Sequence, residues 1–282
     1  GVAFLYSSGL GAPPKLSSLF PAGASRGQTV PITASGTFDK WPVKAWVDRP
    51  GVDITAGSDK GKLSFTVAAD AEPGVYWIRL FNEEGATSPR PFIVGTIPEV
   101  LEVEPNDDPR KPQLLELPIA TINGQLIKAG DVDTFAVSLR KGQTLVASME
   151  ANRNLGSPMD ATLQLVSADG FVLDQSDDYH DLDPQIAFIA PADGKYLVRT
   201  FAFPATPDSS IRFSGSADFV YRLTITTGGF AEYAFPLSVP KSDPGAVELF
   251  GWNISEEAKK LPVIAHEGME SKPLFHPGLA NS

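Results

Sequence analysis

The chain has 282 residues, 42% of them hydrophobic and 20% charged, with 25 glycines, 25 prolines and no cysteine. Its formal net charge of −11 argues against nucleic acid and anionic membrane surfaces, because a phosphate backbone needs clustered Lys and Arg; Arg110-Lys111 and Lys259-Lys260 are isolated pairs. The absence of thiols excludes disulfides, thiolate nucleophiles and zinc–thiolate sites, and no run of about 18 apolar residues is present to span a bilayer. The length suffices for two domains with proper cores. Frequent breakers between short β-rich runs predict an all-β chain. It begins Gly1-Val-Ala-Phe without a methionine, which reads as a processed or recombinant segment whose leader is missing.

Residues 1–18 read as an irregular lead-in, with Pro13-Pro14 opposing regular structure. A strand-and-turn rhythm follows: Gly27-Gln-Thr-Val-Pro-Ile-Thr-Ala-Ser-Gly36, Val43-Lys-Ala-Trp-Val47, Lys62-Leu-Ser-Phe-Thr-Val67, Gly74-Val-Tyr-Trp-Ile-Arg-Leu-Phe81 and Pro91-Phe-Ile-Val94. About seven short strands in roughly 95 residues predict an immunoglobulin-like sandwich over residues 1–97. Arg26-Gly-Gln-Thr-Val-Pro-Ile, Ala68-Ala-Asp-Ala-Glu-Pro-Gly-Val-Tyr76 and Asn82-Glu-Glu-Gly-Ala86 resemble the IPT/TIG type of immunoglobulin-like domain. That resemblance implies a spacer or interaction module without catalytic residues. Trp41, Trp46 and Trp77 are read as core or turn packing and not as a sugar platform.

Gly95-Thr-Ile-Pro98 reads as a linker into a second domain, residues 98–227. Glu102, Glu104 and Asn106 alternate along what should be extended backbone, so their side chains point the same way. Asp131 and Asp133 repeat the spacing after Gly130. Two such pairs joined by a hairpin offer oxygens enough for a hard cation; calcium, with about 6–8 oxygen ligands, is the natural one. Solvated acidic loops whose Asn and Asp cap turns are the alternative, and no EF-hand pattern decides between them.

The order of motifs adds a resemblance. Glu102-Val-Glu-Pro-Asn-Asp107, Asn123-Gly-Gln, Gly130-Asp-Val-Asp-Thr-Phe135, Leu139-Arg-Lys-Gly-Gln-Thr-Leu145 and Gly156-Ser-Pro-Met-Asp-Ala-Thr-Leu163 come first. Pro191-Ala-Asp-Gly-Lys-Tyr196 and Tyr221-Arg-Leu-Thr-Ile225 close the series. Residues from about 99 to 227 resemble the bacterial pre-peptidase C-terminal (PPC) domain, which is similar to the collagen-binding modules of clostridial collagenases. The resemblance implies a jelly-roll β-sandwich appended to a secreted hydrolase. It also implies calcium ligands at Glu102, Glu104, Asn106, Asp107, Asp131 and Asp133. Alternation by itself predicts a core of Phe135, Val137, Leu145, Leu163, Leu165, Phe188, Tyr196, Val198 and Leu223. Asp169-Gly170 and Asp193-Gly194 read as turns.

Residues 228–282 read as a C-terminal β extension, either the start of a further β domain or extra strands on the second. Ser255-Glu-Glu-Ala-Lys-Lys suggests one capped helical turn. Other chemistry is weakly signalled. Gly23-Ala-Ser-Arg-Gly27 matches a nucleophile-elbow string, but a β-like run follows where the mechanism requires a helix. His180, His266 and His276 lie in no metal spacing, and Asn253-Ile-Ser255 is a formal sequon. Asp177-Asp-Tyr-His-Asp-Leu-Asp183 reads as a solvated loop, with a second cation site or a glycosidase carboxylate pair as rivals.

The expectation is therefore an all-β, non-catalytic accessory module of a secreted or cell-envelope protein, located extracellularly, in the periplasm or at the cell surface. Structural calcium would pin the linker strand and set the inter-domain angle. The partners expected are an extracellular protein or polysaccharide, or the rest of a larger secreted chain. The alternative is a set of ancillary domains of a secreted peptidase or other hydrolase whose catalytic domain lies outside the segment.

Overall fold

The structure, a computed structural model, describes residues 11–116, 118–207, 209, 212–240, 245–263 and 274–281. Residues 1–10 of the expected lead-in, and His266, lie outside the described residues.

The N-terminal unit contains β1 (Lys15–Phe20), β2 (Gly23–Ser25), β3 (Thr29–Thr37), β4 (Lys44–Val47), β5 (Val52–Ala56), β6 (Lys62–Val67), β7 (Gly74–Asn82), β8 (Gly85–Ala86) and β9 (Arg90–Gly95). Two sheets, ordered β1-β3-β6-β5 and β2-β9-β7-β4 with β8 on β7, face each other. Between them lies a core that includes Ile32, Phe65, Tyr76, Ile78, Leu80 and Phe92. β1 corrects the reading of residues 15–18 as irregular. Leu16 and Leu19 both face the core although three residues apart, because the register against β3 shifts between Leu16 and Ser18. That bulge removes the strict alternation by which a strand is recognised.

The tryptophans need a second correction. On β7, Tyr76, Ile78 and Leu80 point inward, so Trp77 and Arg79 point outward. Trp46 on β4 stands opposite Arg79. Trp46 and Trp77 are 50% and 44% exposed and do not belong to the core. Trp41 does pack at a turn: its indole N–H donates to the Gly57 carbonyl at 2.7 Å and its ring meets Phe38 edge-on.

The second unit contains β10 (Glu99–Leu101), β11 (Gln113–Leu114), β12 (Ile119–Gln125), β13 (Asp133–Leu139), β14 (Thr144–Glu150), α1 (Asn152–Leu155), β15 (Met159–Ser167), β16 (Val172–Ser176), β17 (Gln185–Ile189), β18 (Gly194–Pro204) and β19 (Val220–Thr226). Its sheets are β10-β12-β19-β14-β17 and β11-β13-β18-β15-β16. Strands β12 to β19 interleave between the sheets as in a jelly roll; β10 and β11 add parallel to β12 and β13. Every core residue expected from alternation lies in or against one apolar cluster, with Phe188 at its margin. The expected Asp169-Gly170 turn joins β15 to β16, with Gly170 at φ 90°.

Three further strands, β20 (Phe230–Phe235), β21 (Gly245–Trp252) and β22 (Lys260–Val263), form an antiparallel sheet. It carries a small core of Val247, Leu249, Ala258, Leu261, Val263 and Leu279. The residues after Ser255 form a turn in which Ala258 N–H donates to the Ser255 carbonyl and side chain, without a helix. Phe230 and Ala280 pack on Ile97 and Val146, which seats this sheet against the second sandwich.

The two sandwiches are joined by more than their linker. Ala22 and Ile93 pack on Leu155 and Val220, and Ser18 Oγ donates to Asp218 Oδ1 at 2.8 Å. Arg222 on β19 is buried between Glu99, the first residue of β10, and Glu150 on β14, bonding both. Burial opposes its charge, but the two carboxylates more than offset this and hold its pKa above the ordinary value.

Candidate metal centre

After β10 the chain leaves one sheet of the jelly roll and reaches the other at β11. Residues 102–112 make that crossing at the edge of the sandwich, beside the start of β13. The five acidic residues singled out from the sequence meet here. Carboxylate oxygens of Glu102, Glu104 and Asp133 lie within 4.8 Å of one another, as do those of Glu104, Asp107 and Asp131. Glu104 belongs to both groups. Asn106 sits beside them, its backbone N–H donating to Glu104 Oε2 at 2.9 Å.

The backbone explains why carboxylates gather at this point. Gly130, at φ 85°, turns the chain so that Asp131 folds back under Ile127, whose N–H donates to Asp131 Oδ2 at 2.6 Å. Asp133, the first residue of β13, is fully buried between the sheets. Glu102 is held from the other side, its Oε2 accepting the Gln125 N–H at 2.8 Å and the Tyr221 hydroxyl at 3.1 Å. The same hydroxyl bonds Asp133 Oδ2. Gly124 makes room for this arrangement, since a Cβ there would stand 2.1 Å from Tyr221 Cζ and 2.5 Å from Glu102 Oε2.

Burial next to like charge has a clear electrostatic result. Desolvation, the largest cause, pushes Glu102 up to about 7. Desolvation and then the neighbouring Glu102 carboxylate push Asp133 up to about 9. At the other end Lys128 Nζ stands 3.3 Å from Asp107 Oδ2 and 3.2 Å from Asp131 Oδ1. Its ammonium partly balances that pair.

Several oxygens remain without a hydrogen-bond donor. Asp131 Oδ1, Asp133 Oδ1 and Asn106 Oδ1 are fully buried and unbonded; Lys128 reaches Asp131 Oδ1 only as a charge, without hydrogen-bond geometry. Buried polar atoms are nearly always partnered. Three orphaned acceptors, two of them on the five carboxylates, fit a bound cation, and among the described residues no histidine joins either group. Two contributors were not singled out from the sequence, Tyr221 and Lys128. Tyr221 is the second residue of β19, and nothing local marks it as lying over Asp133.

The remaining sequence signals find other uses. Ser25, of the elbow-like string, lies on β2 and its hydroxyl donates to the Ile97 carbonyl. Asp177–Asp183 links β16 to β17 as expected, but Asp183 is buried. Its carboxylate accepts backbone N–H groups of Ala151, Asn152 and Arg153 and so caps α1. Asn253 Nδ2 donates to the Thr144 carbonyl.

Fold and site together define an all-β chain with a jelly roll that carries a cation-competent acidic crossing. Residues 131–202, within that jelly roll, match the family model of the bacterial pre-peptidase C-terminal domain. Solved structures are similar at low identity. The pre-peptidase C-terminal domain of a Bacillus anthracis collagenase shows 14% identity and a TM-score of 0.32, over 44% of this chain and 100% of that one. The Aeromonas hydrophila periplasmic inhibitor of g-type lysozyme shows 13% identity and a TM-score of 0.30, over 45% and 97%. A Bacteroides ovatus glucan-locus protein in complex with a heptasaccharide shows 9% identity and a TM-score of 0.25, over 76% of each chain. No curated protein matches.

Proposed function

We propose that this chain is a non-catalytic accessory binding module of a secreted or cell-envelope bacterial protein, stabilised by structural calcium at Glu102, Glu104, Asn106, Asp107, Asp131 and Asp133. The observation that carries the metal is the set of buried, unbonded oxygens on Asp131, Asp133 and Asn106. An all-oxygen donor set with several carboxylates at irregular angles suits calcium. Magnesium demands a stricter octahedron and keeps more of its waters. The two carboxylate groups sharing Glu104 offer two adjacent cation positions. The match at residues 131–202 supports the accessory role and extracellular setting; among the described residues no helix is long and apolar enough to cross a membrane.

In this reading residues 1–97 are an IPT/TIG-like immunoglobulin domain, 98–227 the PPC-like jelly roll and 228–282 a C-terminal extension. The partner is an extracellular protein, a polysaccharide or the rest of a larger chain. The family match equally supports a parent peptidase or other hydrolase whose catalytic domain lies elsewhere. Calcium neutralises the crossing and pins it to β13. Because Arg222 and the apolar contacts already join the sandwiches, the ion stabilises the crossing more than it sets their angle.

The test is thermal unfolding in chelator and in excess calcium. Binding to the folded state stabilises by about 3 kcal/mol at a hundredfold excess over Kd, a rise of several degrees for a domain of this size. Asp131→Asn should abolish the rise. An unchanged melting temperature on calcium addition refutes the cation site.

A further inference from the structure

Two outward sheet faces approach the junction of the sandwiches. The jelly-roll face of β12, β19, β14 and β17 is closed over, with Thr121 and Gln185 only 2% and 4% exposed. The outer face of β7 and its neighbours is closed at one end alone. There Val75 and Ile93, paired across β7 and β9, pack against Leu155 and Val220 of the jelly roll. Beyond them the face is open: Trp77 and Arg79 on β7 and Lys44 and Trp46 on β4 are all exposed.

The strand register orders this open strip. Alternation puts Lys44, Trp46 and Asp48 on the same side as Phe81, Arg79 and Trp77. Lys44 stands opposite Phe81 and Trp46 opposite Arg79. Asp48 follows beside Trp77, its Oδ1 accepting the Trp77 N–H at 2.9 Å. Each ring therefore faces a charged group on the other strand, and Trp46 and Trp77 are diagonal neighbours. Diagonal positions lie roughly 7–8 Å apart, within reach of one another for aromatic side chains.

Nothing inside the protein uses these groups. Among the described residues neither indole makes a ring contact or a hydrogen bond through Nε1, and the side chains of Lys44 and Arg79 form no ion pair, hydrogen bond or cation–π contact. Cations elsewhere, such as Lys40, Arg49 and Lys128, are paired with carboxylates. Asp48 is the one acid on the strip, and it is tied to the backbone of Trp77. A chain of net charge −11 thus keeps a locally cationic face studded with indoles. One exposed Trp is ordinary, but two interleaved with free cations define a surface complementary to an anion with flat apolar faces. A uronic-acid ring has that chemistry: C–H groups on its faces for the indole π-surface, and a carboxylate at its edge for the guanidinium fork. A chain of such rings alternates ring and charge as the strip does. An acidic peptide would also supply carboxylates, but protein partners seat their anchors in pockets, and this strip is the flat side of a sheet.

We propose that the Trp46–Trp77 face binds an acidic polysaccharide of uronic-acid type, its sugar rings stacking on the two indoles and its carboxylates meeting Arg79 and Lys44. The proposal rests on reading the chain as an accessory binding module, but not on its calcium.

Calorimetric titration of the full chain with oligomers of galacturonic, mannuronic and guluronic acid tests this, in chelator so that no cation bridges carboxylates. Neutral gluco-oligosaccharides and oligoglutamate are titrated alongside. The expected result is saturable binding of at least one acidic oligosaccharide that weakens as salt is raised. Trp46→Ala, Trp77→Ala and Arg79→Gln should each weaken it tenfold or more with melting temperature retained, since all three positions are exposed, and Arg79→Lys should keep most of it. Tyr233→Ala, at an exposed aromatic on β20, should leave it unchanged. The proposal is overturned if no acidic oligosaccharide binds, if neutral sugars or oligoglutamate bind as tightly, or if both tryptophan variants bind as the parent does. Neutral-sugar binding abolished by Tyr233→Ala would remove this site and leave the accessory-module reading standing. Release of reducing ends from the oligosaccharides would refute the non-catalytic reading, while binding lost in the tryptophan variants would still establish the face.

Discussion

The hydroxyl of Tyr221 bonds the carboxylate of Asp133 across the interior of the jelly roll, joining β19 of one sheet to β13 of the other over 88 residues of sequence. It is a polar rivet through an apolar core, and it positions the deepest carboxylate of the acidic site. Tyr221→Phe removes the donor and leaves Asp133 and Glu102 buried with one bond fewer. The expected cost is about 1–3 kcal/mol in chelator, and less in calcium, where a cation satisfies the same oxygens. Urea unfolding under both conditions measures the difference.

Protons and calcium compete at this site. Glu102 and Asp133 have pKa values of about 7 and about 9 in the metal-free fold, above those of ordinary carboxylates. The folded state therefore holds protons that the unfolded chain has released, and stability must fall as pH rises wherever the unfolded state binds fewer. From these two groups, metal-free protein loses stability between about pH 4 and pH 9. Calcium displaces the protons and removes that loss, so its affinity rises with pH over the same window. Titration at pH 7 in buffers of different ionisation enthalpy should reveal proton release on binding, and its absence would contradict the assignment.

Lys128 is the internal competitor. Its ammonium stands between Asp107 and Asp131 and has to leave when a cation enters. The Lys128–Asp107 pair is exposed, and such pairs are worth up to about 1 kcal/mol, which corresponds to roughly a fivefold change in affinity. Lys128→Met should tighten calcium binding by a few-fold and lower the stability of the metal-free protein. Calcium titration followed by intrinsic fluorescence checks the first effect, and melting in chelator the second.

Gly124 is required by the close approach of Tyr221 and Glu102. A methyl group there collides with both, and overpacking of this kind costs about 1–3 kcal/mol. Gly124→Ala should lower stability and weaken calcium binding together, whereas Gly170→Ala, at a turn with nothing within 4 Å of its added Cβ, should affect stability alone.

Arg222 holds Glu99 and Glu150 and with them the junction of the two sandwiches. Removing one partner of a buried ion pair costs about 3–5 kcal/mol. Arg222→Ala should destabilise the chain by that order and increase its radius of gyration in small-angle scattering as the sandwiches separate. Arg222→Lys should rescue only part of the loss, because a single ammonium cannot bond both carboxylates as the guanidinium does.

What the sequence determined by itself was whatever depends on short-range alternation and turn chemistry. The interior of the jelly roll was legible because Phe135 and Val137, or Leu163 and Leu165, recur at period two, and side chains two apart on a strand share a face. Clustered acids at 102–107 and 131–133 were legible for the same reason. β1 was not, since its bulge places Leu16 and Leu19 inward at a spacing that mimics no strand. Nor was the exposure of Trp46 and Trp77, because hydrophobicity does not say which face of a sheet is left uncovered. Only the tertiary structure decided that Tyr221 and Gly124 complete the acidic site, that Lys128 occupies its margin, and that the polar face of β12, β19, β14 and β17 is enclosed instead of wet. The Tyr221 contacts join segments 88 and 119 residues apart and Lys128 reaches Asp107 over 21; no local pattern in the chain records which segments become neighbours.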